Sequence, residues 1–187
     1  HARKRLVGSL YLSRVVNVVK GMQAAFVDIG VDRNAFLPLN DMPPVVRELE
    51  KAHKSTGHAG AVSPGQEILV QVVREPAGDK GPRVTMNPTF PGKYVVLLPT
   101  VRAIGVSRHI REEAKREELH RAAKAACPGE MGLIARTAAE DAAPGAIEAE
   151  AAALQKAWET LVLSARTRKA PALLLDEGSL LLRAERD

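Results

Sequence analysis

Two phenylalanines bracket a short polar turn in Gln23-Ala-Ala-Phe-Val-Asp-Ile-Gly-Val-Asp-Arg-Asn-Ala-Phe-Leu-Pro-Leu39. Phe26 and Phe36 each stand in an apolar run of strand-like composition. The chemistry open to such a pair is stacking on unpaired nucleobases, at about 1–3 kcal/mol per base, provided cations nearby can meet the phosphates. Tyr11 is a third candidate face. Lys80 lies in the turn Gly78-Asp-Lys-Gly81, where a backbone kink can lift its ammonium, and Arg14 and Arg33 can add charge. The plain alternative is that both phenylalanines are core, since Phe is commonly buried. Against it, two of only three phenylalanines in the chain bracket this one turn.

A second constellation is Arg136-Thr137 in Leu133-Ile-Ala-Arg-Thr-Ala-Ala-Glu140. An apolar strand ends there and a helical turn can begin. An Arg fork, a Thr hydroxyl and unpaired backbone N–H groups at such a junction make an anion cradle. The same letters fit a capping box, Thr137 with Glu140, in which case Thr137 merely caps a helix. The window Ala103-Ile-Gly-Val-Ser-Arg-His-Ile110 offers Arg108 beside a Gly and a Ser, or else Ser107 as a simple N-cap.

Catalytic chemistry is harder to find. Phosphodiester hydrolysis with bound Mg²⁺ needs carboxylates that converge on the metal. Glu140-Asp141 falls at a helix start and Asp176-Glu177 in a turn. The lone Cys127 cannot form an internal disulfide and is expected as a structural thiol. His53 and His58 stand in a loop as a poor metal pair, and His120 on a solvated helix face.

The elements that must position these residues follow from periodicity. Strands are expected within Arg5–Gly21, at Ala24–Ile29 and Ala35–Leu39, over Gly65–Glu75 with Ile68, Val70 and Val72 alternating, and from Arg83 to Met86. Asn40–Pro64 interrupts them as an excursion with a short helix near Val45–His53. Five short strands with one helical interruption suggest an OB-type barrel over 1–87. Pro88–Pro91 marks a boundary. Beyond it come a strand at Lys93–Leu98, a helix at Ile110–Cys127, a strand at Gly132–Ala135, and a helix after Pro144 with one face formed by Ile147, Ala151, Leu154, Trp158 and Leu161. A hairpin is expected last, Leu173–Leu175 and Ser179–Arg183 around Asp176-Glu-Gly178. The reading is α+β: a five-stranded OB-type barrel (1–87) followed by a mixed α/β domain (88–187).

The chain of 187 residues has a net charge of +5, of which residues 1–86 carry +4, so the argument for a polyanion partner rests on the first half. No apolar run is long enough to span a bilayer. One cysteine and no secretory signal fit a reducing, cytoplasmic compartment.

Several of these segments resemble the ribonuclease E/G family. The resemblance is carried by Ala24-Ala-Phe-Val-Asp28, Phe36-Leu-Pro-Leu39, Gly65-Gln-Glu-Ile-Leu-Val-Gln-Val, the Gly-x-Ser-Arg segment ending at Arg108, and Arg136-Thr137, in order along nearly the whole chain. It implies that Phe26, Phe36 and Lys80 contact single-stranded RNA. It implies also that the second domain is a 5′-sensor, taking a terminal monophosphate on Arg136, Thr137 and Arg108 and touching the terminal nucleotide with Gly92 and Val96. Two positions depart from the family pattern: Ile29 stands where members can carry an aromatic, and His109 where they can carry a second arginine, which makes anion affinity there pH-dependent. The resemblance places the Mg²⁺-binding aspartates in a nuclease domain that follows Arg-Ala-x-Arg-Asp, here Arg183-Ala-Glu-Arg-Asp187, so no cofactor is expected in this chain and no cleavage by it alone. It implies single-stranded RNA with a 5′-monophosphate as partner and a homo-oligomer in the full-length protein. Two other classes remain open: a stand-alone RNA-binding protein of translation or ribosome maturation, and a protein-interaction adaptor.

Overall fold

The computed structural model describes residues 5–47 and 62–177. The contacts divide the chain into two units, one of residues 1–41, 58–88 and 161–183, the other of 42–57, 89–160 and 184–187.

The first unit is a barrel. Strands β1 (Leu10–Val19), β2 (Ala24–Asp28), β3 (Ala35–Pro38), β4 (Glu67–Arg74) and β5 (Arg83–Thr85) pair in the order β1-β2-β3-β5-β4, and β4 closes back onto β1. The β3–β5 pairing is parallel and every other pairing of the ring is antiparallel. This is the five-stranded OB-type barrel expected. Alternation explains its core: Ala25 and Val27 of β2, Ala35 and Leu37 of β3, Val70 and Val72 of β4 and Val84 of β5 point inward. Each fully buried Val or Leu contributes about 1.5–3 kcal/mol. β1 is bulged between Val15 and Asn17, which leaves Val16 exposed and lets a ten-residue strand bend around the barrel.

Two turns are fixed by backbone geometry. After β2, Gly30 has φ +89°, and its N–H donates to Asp28 Oδ1 at 2.8 Å. Between β4 and β5, Ala77 and Lys80 exchange backbone hydrogen bonds of 3.0 and 3.1 Å. Gly81 then passes so close to the β2–β3 turn that a Cβ on it would lie 2.1 Å from the Asn34 carbonyl oxygen.

A further strand, β10 (Ala172–Leu175), runs antiparallel to β1 with Leu12 opposite Ala172 and Tyr11 opposite Leu173. The sequence reading placed 88–187 wholly in the second domain; by contacts, 161–183 group with the barrel. The reason is that β1 has pairing edges to spare: β4 takes one side of Leu10–Arg14, β2 takes the other side only from Arg14 onward, and β10 covers the remainder. The expected partner strand Ser179–Arg183 lies outside the described residues.

In the second unit, β6 (Phe90–Pro91), β7 (Val95–Leu98), β9 (Gly132–Ala135) and β8 (Ile104–Val106) form a four-stranded sheet in that order, with β8 and β9 parallel. Helix α1 (Pro44–Arg47) buries Val46 with Leu98, Val101, Ala103 and Ile134. The rest of the expected Val45–His53 helix lies outside the described residues, as do His53 and His58. Helix α2 (Glu113–Ala126) packs on β8 and β9 and buries Leu119 and Ala123 one turn apart. Helix α3 (Ala146–Arg166) has the apolar face expected, and in the part that belongs to this unit Ile147 and Ala151 are buried. Phe90, fully buried, meets the Trp158 ring edge to face at 5.8 Å. Cys127 is half-buried and its thiol donates to the Met131 carbonyl at 3.0 Å; burial pushes its pKa up, against the lowering influence of Arg102. No described helix is long and apolar enough to cross a membrane.

Candidate nucleic-acid interface and anion site

On the barrel, pairing sets four residues in a row across the strands: Asn17 on β1, Phe26 on β2, Phe36 on β3 and Arg83 on β5. The sequence neighbours of Phe26, Phe36 and Arg83 are buried and Asn17 is itself exposed, so the row lies on the outer face. Phe26 and Phe36 are half-buried and belong to no core cluster. Their rings meet edge to face, centroids 5.8 Å apart and planes inclined by 63°. The Arg83 guanidinium carbon stands 5.9 Å from the centroid of Phe36, within cation–π range. The core alternative for both phenylalanines therefore does not describe this barrel.

The remaining barrel candidates separate. Tyr11 is no third face: it is buried in the barrel core with Val15 and Val70, because the first half of β1 is covered on both sides. Arg14 is held by Glu67 Oε1 at 2.9 Å and by the carbonyls of Gly65 and Ala170. Arg33 donates to the Asp79 carbonyl and approaches the Asp79 carboxylate at 3.9 Å. Lys80 is exposed in the turn that Gly81 seats against Asn34. Ile29, at the position where an aromatic was considered, is buried in the core.

In the second unit, antiparallel β7–β9 and parallel β8–β9 bring the start of β7 and the ends of β9 and β8 to one end of the sheet. Arg136 follows β9 and is tied to the turn before β7 twice: its backbone N–H donates to the Tyr94 carbonyl at 2.7 Å, and Nη1 donates to the Gly92 carbonyl at 2.5 Å. Thr137 opens a short 3-10 turn, Thr137–Asp141, but does not cap it; Arg136 holds the N-cap position and no side-chain cap bond forms. The Thr137 hydroxyl instead lies 3.0 Å from the Ser107 hydroxyl. The Ser107 N–H donates to the Ala135 carbonyl, so the β8 and β9 exits stay in register. The capping-box reading is thus not realised. Nor does Ser107 cap α2, which starts six residues later at Glu113; its hydroxyl accepts from the His109 N–H at 3.3 Å.

Arg108 and His109 are exposed beside this group, and Arg102 pairs with Glu130 at 3.0 Å. Val96 sits one residue inside the sheet end, opposite Ile134, and its half-buried side chain packs with Met42 and Val45 on the apolar cluster.

Two residues that hold this end together were not singled out from the sequence. Glu150 on α3 accepts from three consecutive backbone N–H groups, Lys93 at 3.0 Å, Tyr94 at 2.8 Å and Val95 at 2.9 Å. Gly92 leaves room for it, since a Cβ there would lie 2.2 Å from Glu150 Oε1. Arg116 on α2 donates to the carbonyls of Ser107 and Ile110 at 2.7 and 2.8 Å. An acid one turn into a helix after Pro144 was the only local signal for Glu150, and none pointed to Arg116. Among the described residues no group of three or more His, Cys, Asp or Glu side chains is arranged to hold a metal ion.

Comparison with known proteins adds an independent finding. A family model described as the Ribonuclease E/G family matches residues 89–187. The chain is 41% identical over 182 residues to a protein named Ribonuclease E from Nostoc sp. (strain PCC 7120), covering 97% of this chain and 26% of that protein. It is 40% identical over 183 residues to Ribonuclease E from Synechocystis sp. (strain PCC 6803), again over 97% of this chain and 26% of the relative. With Ribonuclease G from Escherichia coli (strain K12) it shares 37% identity over 190 residues, covering 100% of this chain and 39% of that protein. The chain therefore spans between about a quarter and two-fifths of the length of these relatives.

Proposed function

The chain belongs to the ribonuclease E/G family, and on that premise we propose that it is the RNA-holding part of an endoribonuclease of RNA processing and decay. In this reading the barrel binds single-stranded RNA through Phe26 and Phe36, with Lys80 meeting phosphate. The end of the second sheet takes a 5′-monophosphate on Arg136, Thr137 and Arg108, with Gly92 and the exposed part of Val96 touching the terminal nucleotide. The cleavage chemistry, with Mg²⁺, is assigned to a part of the enzyme outside this chain.

The observation that carries the reading is the outward pair of rings. Two half-exposed phenylalanines edge to face on one barrel surface, beside a guanidinium, are the parts single-strand binding needs: faces that any base can stack on, and charge for the backbone. The expected outcome of Phe26→Ala or Phe36→Ala is a loss of about 1–3 kcal/mol in affinity for single-stranded RNA, read by titration at fixed salt, with the circular dichroism of the barrel retained. A variant that keeps wild-type affinity removes that ring from the binding face.

For the sheet end, the supporting observation is that Arg136 and Thr137 meet the Gly92 turn and Ser107 rather than capping a helix. A guanidinium fork and a hydroxyl at one sheet end suit a terminal phosphate, which offers more charge and more free oxygens than an internal diester.

A further inference from the structure

We infer that Arg83 is the second jaw of a base clamp: its guanidinium closes over a nucleobase that lies on the Phe36 ring. The inference rests on the stacking reading above and adds a residue and a mode of binding to it.

Arg83 is placed by topology. The parallel pairing of β3 and β5 sets it directly beside Phe36, and Phe26 stands on the other side of that ring. Phe36 thus has an aromatic edge on one flank and a cation on the other. The charge of Arg83 is also unspent. Arg14 is committed to Glu67 and Arg33 to Asp79, whereas the Arg83 guanidinium has no hydrogen bond or ion pair among the described residues, and its contact is the ring. A planar guanidinium stacks on aromatic faces as an ammonium cannot.

The dimensions suit an inserted base. The guanidinium carbon is 5.9 Å from the ring centroid. A base between the two would need about 7–8 Å, two layers at ordinary carbon contact distance. Withdrawing the guanidinium by about 1–2 Å is a side-chain torsion adjustment rather than a backbone movement. The ligand class is therefore an unpaired nucleobase in a single strand, held between ring and guanidinium.

The test measures binding of a short 5′-hydroxyl oligoadenylate to the whole chain, and of a matched oligonucleotide with abasic sites. Arg83→Ala should weaken oligoadenylate binding about tenfold, and Arg83→Lys should leave most of that loss in place. On the abasic strand, wild type and Arg83→Ala should agree within about twofold, because there is no base to clamp. Arg83→Gln serves where the Ala variant fails to fold, as judged by circular dichroism. Full rescue by Lys, an equal loss on the abasic strand, or wild-type affinity in both Ala and Gln variants would overturn the clamp. Phe36→Ala in the same series separates the two levels. Loss with Phe36→Ala but not with Arg83→Ala leaves the stacking face standing and removes Arg83, whereas no loss with Phe36→Ala removes the face itself.

Discussion

Arg136 illustrates how one side chain can be both anchored and available. One guanidinium nitrogen and the backbone N–H are used on the Gly92–Tyr94 turn, which fixes where the fork points. Arg136→Ala should therefore remove most of the preference for 5′-monophosphate over 5′-hydroxyl RNA while sparing affinity for internal nucleotides. Paired titrations with oligonucleotides that differ only at the 5′ end would read this. Arg136→Lys should restore only part, since a point charge cannot reproduce a fork. An unchanged preference in the Ala variant would reject the assignment. At this scale the legibility of the sequence was uneven for a physical reason. Phe26 and Phe36 could be singled out because two of three phenylalanines bracket one turn, but their outward face was left open and is settled by the burial of Ala25, Val27, Ala35 and Leu37 on the other side. Tyr11 misled because β1 is covered on both faces in its first half, where alternation no longer separates inside from outside. Arg83 was invisible because its partner is set by a parallel pairing between strands 47 residues apart, Phe36 with Arg83.

At the scale of elements, helix α3 acts on the second sheet through one carboxylate. Glu150 accepts from the N–H groups of Lys93, Tyr94 and Val95, which precede and open β7 and would otherwise lack an acceptor. Glu150→Ala should cost about 1–3 kcal/mol, read as a lowered midpoint of thermal or urea unfolding, because it leaves backbone donors unmet. Glu150→Gln, which keeps one acceptor oxygen, should cost less. If the Ala variant melts with wild-type stability, the turn is held by other contacts. Some elements were legible, since the face of α3 and the strand β9 follow from spacing and composition alone, whereas β6 and β8, two and three residues long, were too short to show a period. The capping box was not, because Thr137-Ala-Ala-Glu140 satisfies the letters of a cap while the hydroxyl is drawn to Ser107 across the sheet.

For the whole molecule, the informative feature is that β10 completes the flank of β1 although it follows much later in sequence. A proline in β10 cannot donate to the ladder. Ala172→Pro, at the residue opposite Leu12, should accordingly raise amide hydrogen exchange at Leu10 and Leu12 while leaving β7 and β9 as protected as before; unchanged protection at Leu10 and Leu12 would show that β10 adds nothing to that edge. The barrel's ring of five strands was legible from the sequence. The return of Ala172–Leu175 was not, because a strand about 150 residues away in sequence carries no mark of which edge it will join. That pairing also has a consequence in time. A ribosome adding roughly 5–20 residues per second completes β10 about 8–31 s after β1 has been made. For that interval the nascent barrel has a bare stretch of backbone at Leu10–Leu12, a docking edge open to any strand of a neighbouring nascent chain. A polysome, where many copies of this chain grow side by side, is where mispairing of this protein would begin.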